Sequence, residues 1–291
     1  MGVNLGSRVR TFGWASLVAN IGIVVTGGAV RLTGSGLGCP TWPRCTDESF
    51  RPHGELEFHT AIEFGNRMLT FVLTAVAIAT FVSAWQTGRR ELRRLALLLA
   101  LGVPMQAVIG GITVLTDLNP WIVSLHLLLS MAMVGVAVLF LRRIDLPDAT
   151  WVRGPIPALA WTLFASAWLV LYLGTIVTGA GPHAGDAETP RNGVDPLQIS
   201  QVHADSVFLL VGLTLGLLFA VWARDAASGA RRAVTILLGI ELAQGTIGFV
   251  QYFTDLPEVL VGFHMLGAAL ISAAVTWSVL TVVLPDRSLS E

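Results

Sequence analysis

Three of the six histidines in this 291-residue chain, His126, His203 and His264, fall inside apolar stretches long enough to cross a bilayer. An ionisable side chain is costly in such a stretch unless something uses or neutralises it, so each is a candidate for function. His203 sits in the first turn of its stretch and His264 about six residues into its own. If the helices carrying them are neighbours, two imidazoles at similar depth can clasp one planar ligand. Neutral imidazole is a favoured axial ligand and a macrocycle fits between bundle helices, so a bis-histidine haem is the natural occupant. The plainer account is that a membrane histidine merely bonds an adjacent helix.

A second group of residues precedes these. Glu63-Phe64-Gly65-Asn66-Arg67 opens another apolar stretch. Glu63 and Arg67, one helical turn apart, can form a simple ion pair near the interface. Glu63 and Asn66 also share a helix face. A carboxylate there can relay protons or stabilise positive charge developing on a haem substrate. His59 projects from the same face one turn earlier, as a substitute iron ligand or as an ordinary loop histidine. Arg31, at the end of the first stretch, can pair with a haem propionate or simply reach towards water. His53 and His183 lie in the longer loops and read at least as well as solvated side chains.

The elements that must position these groups follow from composition. The chain is 54% hydrophobic and 13% charged, with a mean hydropathy of +0.70; soluble domains carry about 25% charged residues. Windows of about 20 residues, the length that crosses the hydrocarbon layer, predict membrane helices near 13–32, 61–85, 95–115, 120–141, 157–178, 200–223, 233–253 and 259–284. Only helices satisfy the backbone at that many crossings. The fold class is therefore all-α integral membrane protein with eight transmembrane helices. There is no lysine. Arg8, Arg10, Arg89, Arg90, Arg93, Arg94, Arg142, Arg143, Arg153, Arg224, Arg231, Arg232 and Arg287 fall in alternate connecting segments, which predicts those segments, and both termini, to be cytoplasmic. The net charge of −1 gives no sign of nucleic-acid binding. The two cysteines, Cys39 and Cys45, share the first outer loop, where an oxidising compartment lets them pair, although two free thiols remain an alternative. Their spacing does not suit a zinc site.

The chain also repeats itself. Gln106, Gly110, Thr116-Asp117-Leu118 and His126 recur 138 residues later as Gln244, Gly248, Thr254-Asp255-Leu256 and His264, and Thr33-Gly34-Ser35-Gly36 resembles Thr178-Gly179-Ala180-Gly181. With four helices per copy, the halves are parallel and pseudo-symmetric four-helix bundles, residues 1–146 and 147–291, joined by a proline-rich cytoplasmic linker. The counterpart of His203 is Asn66, so the first half lacks the second imidazole at that place. The long outer loops at 33–60 and 179–199 suggest lids over sites at that face.

The run Gly27-Gly28-Ala29-Val30-Arg31-Leu32-Thr33-Gly34-Ser35-Gly36-Leu37-Gly38-Cys39-Pro40, with Cys45, Ile62-Glu63-Phe64-x-x-Arg67 and the later histidines, resembles the haem A synthase family over nearly the whole chain. The resemblance implies an oxidoreductase of the plasma membrane that converts the C8 methyl of haem O to a formyl group, in two successive hydroxylations, for terminal oxidases. It implies a resident haem b on His203 and His264, haem O as substrate at His126 beside a catalytic Glu63, and a disulfide between Cys39 and Cys45. The haem sites would lie near the outer face, and the partners would be an electron acceptor, the enzyme that supplies haem O, and the bilayer. Family members commonly carry histidine where this chain has Asn66. Two other functions compete: a di-haem b-type electron carrier, which needs two equivalent bis-histidine sites, and a parallel-repeat transporter, which needs paired helix interruptions at mid-membrane.

Overall fold

A computed structural model describes residues 5–52, 57–147, 149–224 and 228–285; His53 and Arg287 lie outside the described residues. The described chain is eight helices with no strand: α1 (Leu5–Leu32), α2 (Phe58–Gln86), α3 (Arg90–Leu115), α4 (Pro120–Asp145), α5 (Pro155–Ala180), α6 (Pro196–Ala223), α7 (Ser228–Phe253) and α8 (Glu258–Val283). All eight are long and apolar enough to cross a membrane. Most run past the hydropathy windows at the arginine-rich ends, α1 beginning at Leu5 rather than 13 and α7 at Ser228 rather than 233. The windows stop at charge, whereas a helix continues while arginine stems reach back to water.

Local chemistry sets the ends on the opposite face. Pro120 and Pro196 occupy first-turn positions of α4 and α6, where a missing N–H costs nothing. The Asn119 side chain accepts from Trp121 N at 3.0 Å and Asp195 Oδ1 from Gln198 N at 2.8 Å, filling caps that would otherwise stay open. The turns α3–α4 and α7–α8 are built alike. Asp117, Leu118, Asp255 and Leu256 all adopt positive φ, and the Leu118 and Leu256 amides return to Thr113 O and Gln251 O, each at 2.8 Å.

Helices α1 to α4 pack as a ring, α1 on α2, α2 on α3, α3 on α4 and α4 on α1, and α5 to α8 pack in the same order. The rings meet through α4 on α8, α1 on α8 and α4 on α5, so α8 touches four helices and is the most buried. Small and hydroxylated residues line this junction: Ser124 Oγ and Thr175 Oγ1 lie 2.5 Å apart, and Ser272 Oγ donates to Met131 O at 2.8 Å. α3 carries Pro104 in its interior, but its counterpart 138 residues on is Leu242. The paired interruption a transporter needs is missing.

Hydrophobic packing is uneven along the membrane axis. The main buried cluster fills the arginine-rich half, with Leu92, Leu99, Phe140, Leu163, Leu217, Leu237 and Val279. Towards the other face α2 buries nothing between Glu63 and Ala77, α6 nothing before Leu210, and α8 nothing before Gly267. Helical rings close on themselves as tightly as organic crystals when nothing separates them. Both rings are loose at the end where the histidines lie.

Gly13 of α1 is a close approach of α1 to α4, since a Cβ there would stand 2.8 Å from Leu141 Cδ2 and 3.1 Å from the Phe140 ring. Gly13→Leu is expected to lower the thermal unfolding midpoint in detergent, by an overpacking cost of about 1–3 kcal/mol. Gly22→Ala, which meets nothing within 4 Å, is expected to leave the midpoint unchanged or raise it.

Candidate functional site

In the second ring His203 lies seven residues after Pro196 and His264 six after Glu258. They therefore stand at matching depth. The first-turn position expected for His203 is corrected by the start of α6 at Pro196, where the Asp195 cap adds a turn that hydropathy missed. The condition that α6 and α8 be neighbours is not met. The two helices make no contact and occupy opposite corners of the ring, so the histidines approach from either side of its interior. Glycine makes room for each ring: a Cβ on Gly174 would stand 3.2 Å from His203 Cε1, and one on Gly248 3.5 Å from His264 Cε1. Gln244 Nε2 donates to His264 O at 2.9 Å. His264 Nδ1 is buried without a partner, whereas the His203 ring has the Val170 backbone of α5 as a hydrogen-bond partner.

The first ring repeats half of this arrangement. His126 lies six residues after Pro120, and a Cβ on Gly110 would be 3.2 Å from its Cε1. Gln106 Nε2 donates to His126 O at 3.2 Å and to Ser130 Oγ at 2.7 Å. His126 Nδ1 is likewise buried and unpartnered. Across the ring α2 supplies Asn66, whose Oδ1 accepts from Thr26 Oγ1 of α1 at 2.8 Å. His59 is exposed, with its Nδ1 3.0 Å from Ser35 Oγ. The structure does not bring it to His126.

Glu63 is 5% exposed and is tied to the first outer loop. One carboxylate oxygen accepts from Cys39 N at 2.5 Å, and the other meets Arg67 Nε at 3.1 Å and Nη2 at 2.5 Å. The ion pair read from sequence is present, but Arg67 does more. Its guanidinium also donates to Cys39 O at 2.9 Å, Thr41 O at 3.0 Å and Arg44 O at 3.1 Å. These carbonyls span the loop closed by the Cys39–Cys45 disulfide, Cα–Cα 4.5 Å. Trp42 pins the same loop to α3, where a Cβ on Gly111 would fall 2.2 Å from its indole. The loop is thus fastened over the first ring at two points.

The remaining candidates join the loops to each other. Arg31 donates from Nε to His183 O at 2.5 Å and from Nη2 to Thr178 O at 2.7 Å. His183 Nε2 lies 2.9 Å from Leu256 O in the α7–α8 turn. Gly36 N donates to Gly185 O at 2.8 Å, and Leu118 wedges against both glycines. Sequence reasoning passed over Glu241, 2% exposed within α7, although a glutamate inside an apolar run is itself the signal. It also noted Gln106 and Gln244 as repeat markers without their role as braces.

Among the described residues no three of His, Cys, Asp and Glu gather as a metal-ion site. What the rings offer is imidazoles at matched depth, each with a glycine beside it and those of His126 and His264 with an orphaned buried nitrogen, in the loosely packed end of the bundle. A planar macrocycle with an iron centre suits that donor set, because it takes axial ligands from opposite sides and fills space between helices. The second ring can supply two such ligands, the first ring one.

A family model described as cytochrome oxidase assembly protein, COX15-CtaA, matches residues 10–194, more than half of the chain. That stretch holds Cys39, Cys45, Glu63 and His126. Relatives named haem A synthase extend the likeness to His203 and His264: one from Staphylococcus epidermidis is 24% identical over 97% of this chain and 99% of its own length. One from Bradyrhizobium sp. (strain ORS 278) is 27% identical over 89% and 87%.

The clamp carries its own test. Arg67→Leu removes every side-chain donor to the Cys39, Thr41 and Arg44 carbonyls while leaving the disulfide. Amide hydrogen exchange over residues 39–45 is expected to rise at least about tenfold, the equivalent of about 1.4 kcal/mol of local stability, with helical content unchanged.

Proposed function

Because the chain belongs to the COX15-CtaA family of cytochrome oxidase assembly proteins, we propose that it is a haem A synthase of the plasma membrane, oxidising the C8 methyl of haem O to a formyl group. Two successive hydroxylations and loss of water account for the product, with electrons passing to an external acceptor. The observation that carries the reading is the inequality of two otherwise matching rings. Both hold a histidine with a buried, unpartnered Nδ1 beside a glycine. Only the second ring has another imidazole diagonally opposite, and only the first has a buried carboxylate at that level.

Residues 147–291 form the cofactor half in this proposal. His203 and His264 would hold haem b, which when bound supplies one-electron redox chemistry. Held by two imidazoles, it would serve as a stable electron carrier rather than as a reacting centre. Residues 1–146 form the reacting half. His126 would hold haem O from one side, with its backbone fixed by Gln106. Asn66 is an amide engaged with Thr26, so the opposite side has no imidazole. This weighs against a di-haem carrier with two equivalent sites.

Glu63 is proposed as the group that handles protons released as the methyl is oxidised. Its bonds to Cys39 N and Arg67 orient it beneath the disulfide loop, and the loop keeps water from that end of the ring. Arg31 is proposed to orient propionates from the junction of the two loops. The arginine distribution supports cytoplasmic termini and sites near the outer face. The enzyme that supplies haem O is the expected partner.

Co-expression with a haem O source followed by pigment extraction tests the proposal. Wild type is expected to accumulate haem A or hydroxylated haem O. Glu63→Gln is expected to lose about 10²–10⁴-fold in conversion, the usual worth of a positioned proton-transfer group, while keeping haem b. His126→Ala is expected to abolish conversion with haem b retained. Haem b without any oxidised haem O in the wild type would instead mark an electron carrier, and full conversion by Glu63→Gln would remove that residue from the chemistry.

A further inference from the structure

The arginine-rich end of the second ring holds a cavity that nothing in the reaction described above requires. Its volume is about 310 Å³, at the lower bound of ligand-sized pockets. Four helix ends enclose it: the start of α5 with Ile156, the end of α6 with Val221, the start of α7, and the end of α8 with Thr281. Arg153 and Arg224 complete the wall. The linker before α5 is tied to the end of α8, since Val152 N donates to Val283 O at 2.9 Å. Val221 and Thr281 are buried, and Val221 belongs to the main hydrophobic cluster. The cavity therefore ends on dense packing and is not a path through the bundle.

Charge separates this end from its counterpart in the first ring. There the arginines are matched within the protein: Arg10 Nη1 lies 3.1 Å from Asp145 Oδ1, Arg143 Nε lies 2.8 Å from Glu91 Oε1, and Arg89 Nη2 donates to Arg143 O at 2.5 Å. Among the described residues Arg153 and Arg224 have no carboxylate partner; Asp148, Asp225 and Asp286 lie outside the described residues. Helix dipoles do not supply the missing negative charge. Two helices begin at the cavity and two end there, so their opposed end charges largely cancel. Water would satisfy either exposed arginine alone. Two of them on the wall of one mainly apolar cavity are converging donors for an anion. Depth identifies what carries that anion. Trp151 and Trp222, each next in sequence to a residue of the wall, are 51% and 54% exposed, and Trp161 stacks on Trp151 with ring centres 6.1 Å apart. Exposed tryptophans at the ends of membrane helices sit at headgroup level. The cavity thus lies where lipid phosphates lie, and its apolar walls suit glycerol and upper acyl carbons better than a hydrated inorganic ion.

We propose that this cavity binds the headgroup of an anionic phospholipid, with the phosphate held by Arg153 and Arg224 and the glycerol resting on Ile156 and Val221. Basic pockets between membrane helices take such headgroups by this combination of charge and apolar wall. The inference is independent of the haem sites. Prolines at 155, 157 and 285 belong to the same wall, and their fixed φ leaves little backbone to order when the lipid enters. In the first ring the Arg10–Asp145 and Arg143–Glu91 pairs link α4 to α1 and to α3 at this level. Among the described residues the second ring has no such pair, and the phospholipid supplies the link between its helix ends. A zwitterionic lipid carries its own cation beside the phosphate and gains less from the two arginines.

Native mass spectrometry of the purified full-length protein, offered equal amounts of phosphatidylglycerol and phosphatidylcholine with identical acyl chains, tests the proposal. Wild type is expected to keep a phosphatidylglycerol adduct under activation that strips phosphatidylcholine. Arg153→Gln combined with Arg224→Gln is expected to weaken that adduct about thirtyfold, the worth of two arginines against anionic lipid. Arg90→Gln combined with Arg94→Gln removes the same charge from exposed positions on α3 and is expected to leave the adduct intact. Ile156→Trp keeps both arginines, fills the cavity and is expected to lose the adduct as well. It decides the question if the double arginine variant does not fold. Excess inorganic phosphate is expected not to compete. Equal retention of the two lipids by wild type, or an adduct that survives both cavity variants, would overturn the proposal. So would equal weakening by the Arg90 and Arg94 substitutions, which marks a general charge effect, or displacement by phosphate, which marks a site for a free anion.

Discussion

A buried imidazole nitrogen without a hydrogen-bond partner is the constraint around which this molecule is arranged. Two such atoms, on His126 and His264, occupy the same depth in two rings of apolar helices, and His203 stands diagonally opposite the second. Leaving polar atoms unpaired in an apolar interior is expensive, and a ring free to collapse would have closed on them. Instead glycines at 110, 174 and 248 hold the neighbouring helices clear of the imidazoles. Glutamines at 106 and 244 brace two of the histidine backbones from the adjacent helix. The dense hydrophobic packing lies in the other half of the bundle. Packing therefore supplies rigidity at one end and leaves the other less tightly filled, which is what the proposed haem sites need.

What distinguishes the rings is how each fills the corner opposite its shared histidine. The second ring places His203 there, which makes a symmetrical pair of donors. The first places Asn66, held by Thr26, and a glutamate bound to a loop. Arg67 is the hinge of that difference. By reaching three loop carbonyls as well as Glu63, it makes the disulfide loop and the carboxylate one mechanical unit. The loop in turn bonds to its counterpart over the second ring through Gly36 and Gly185, and Arg31 ties α1 to the same region. The two halves are joined at this face by backbone hydrogen bonds and the Ser124–Thr175 contact, and at mid-membrane by Ser272 of α8 donating to Met131 O of α4.

Much of this was legible in the chain. Eight crossings follow from apolar length, and the 138-residue repeat correctly paired the two glutamine–histidine contacts and the two Thr-Asp-Leu turns. The Cys39–Cys45 bridge and the Glu63–Arg67 pair were readable because both depend on short spacing. What depends on neighbours was not. Hydropathy carries no record of which helices touch, so the diagonal placing of α6 and α8 came only with the packing. The start of α6 at Pro196 fell outside the apolar window because Asp195, Gln198, Ser200 and Gln201 interrupt Leu197 and Ile199. Arg67's grip on Cys39, Thr41 and Arg44 uses main-chain carbonyls, which every residue has and none advertises. Asn66 could be seen as a departure from the family pattern, but its bond to Thr26 required the packing of α1 on α2. Glu241 was visible and overlooked, because attention went to histidines near the helix ends.

The central claim is that one ring closes on its haem with two imidazoles and the other does not. Electron paramagnetic resonance of the oxidised protein, purified without a haem O source, tests this most directly when combined with a count of haem per chain. The account predicts one low-spin, bis-imidazole haem per chain, lost in His203→Ala and in His264→Ala and unaltered in His126→Ala. A bis-imidazole signal that survives either second-ring substitution, or that disappears with His126, would contradict it.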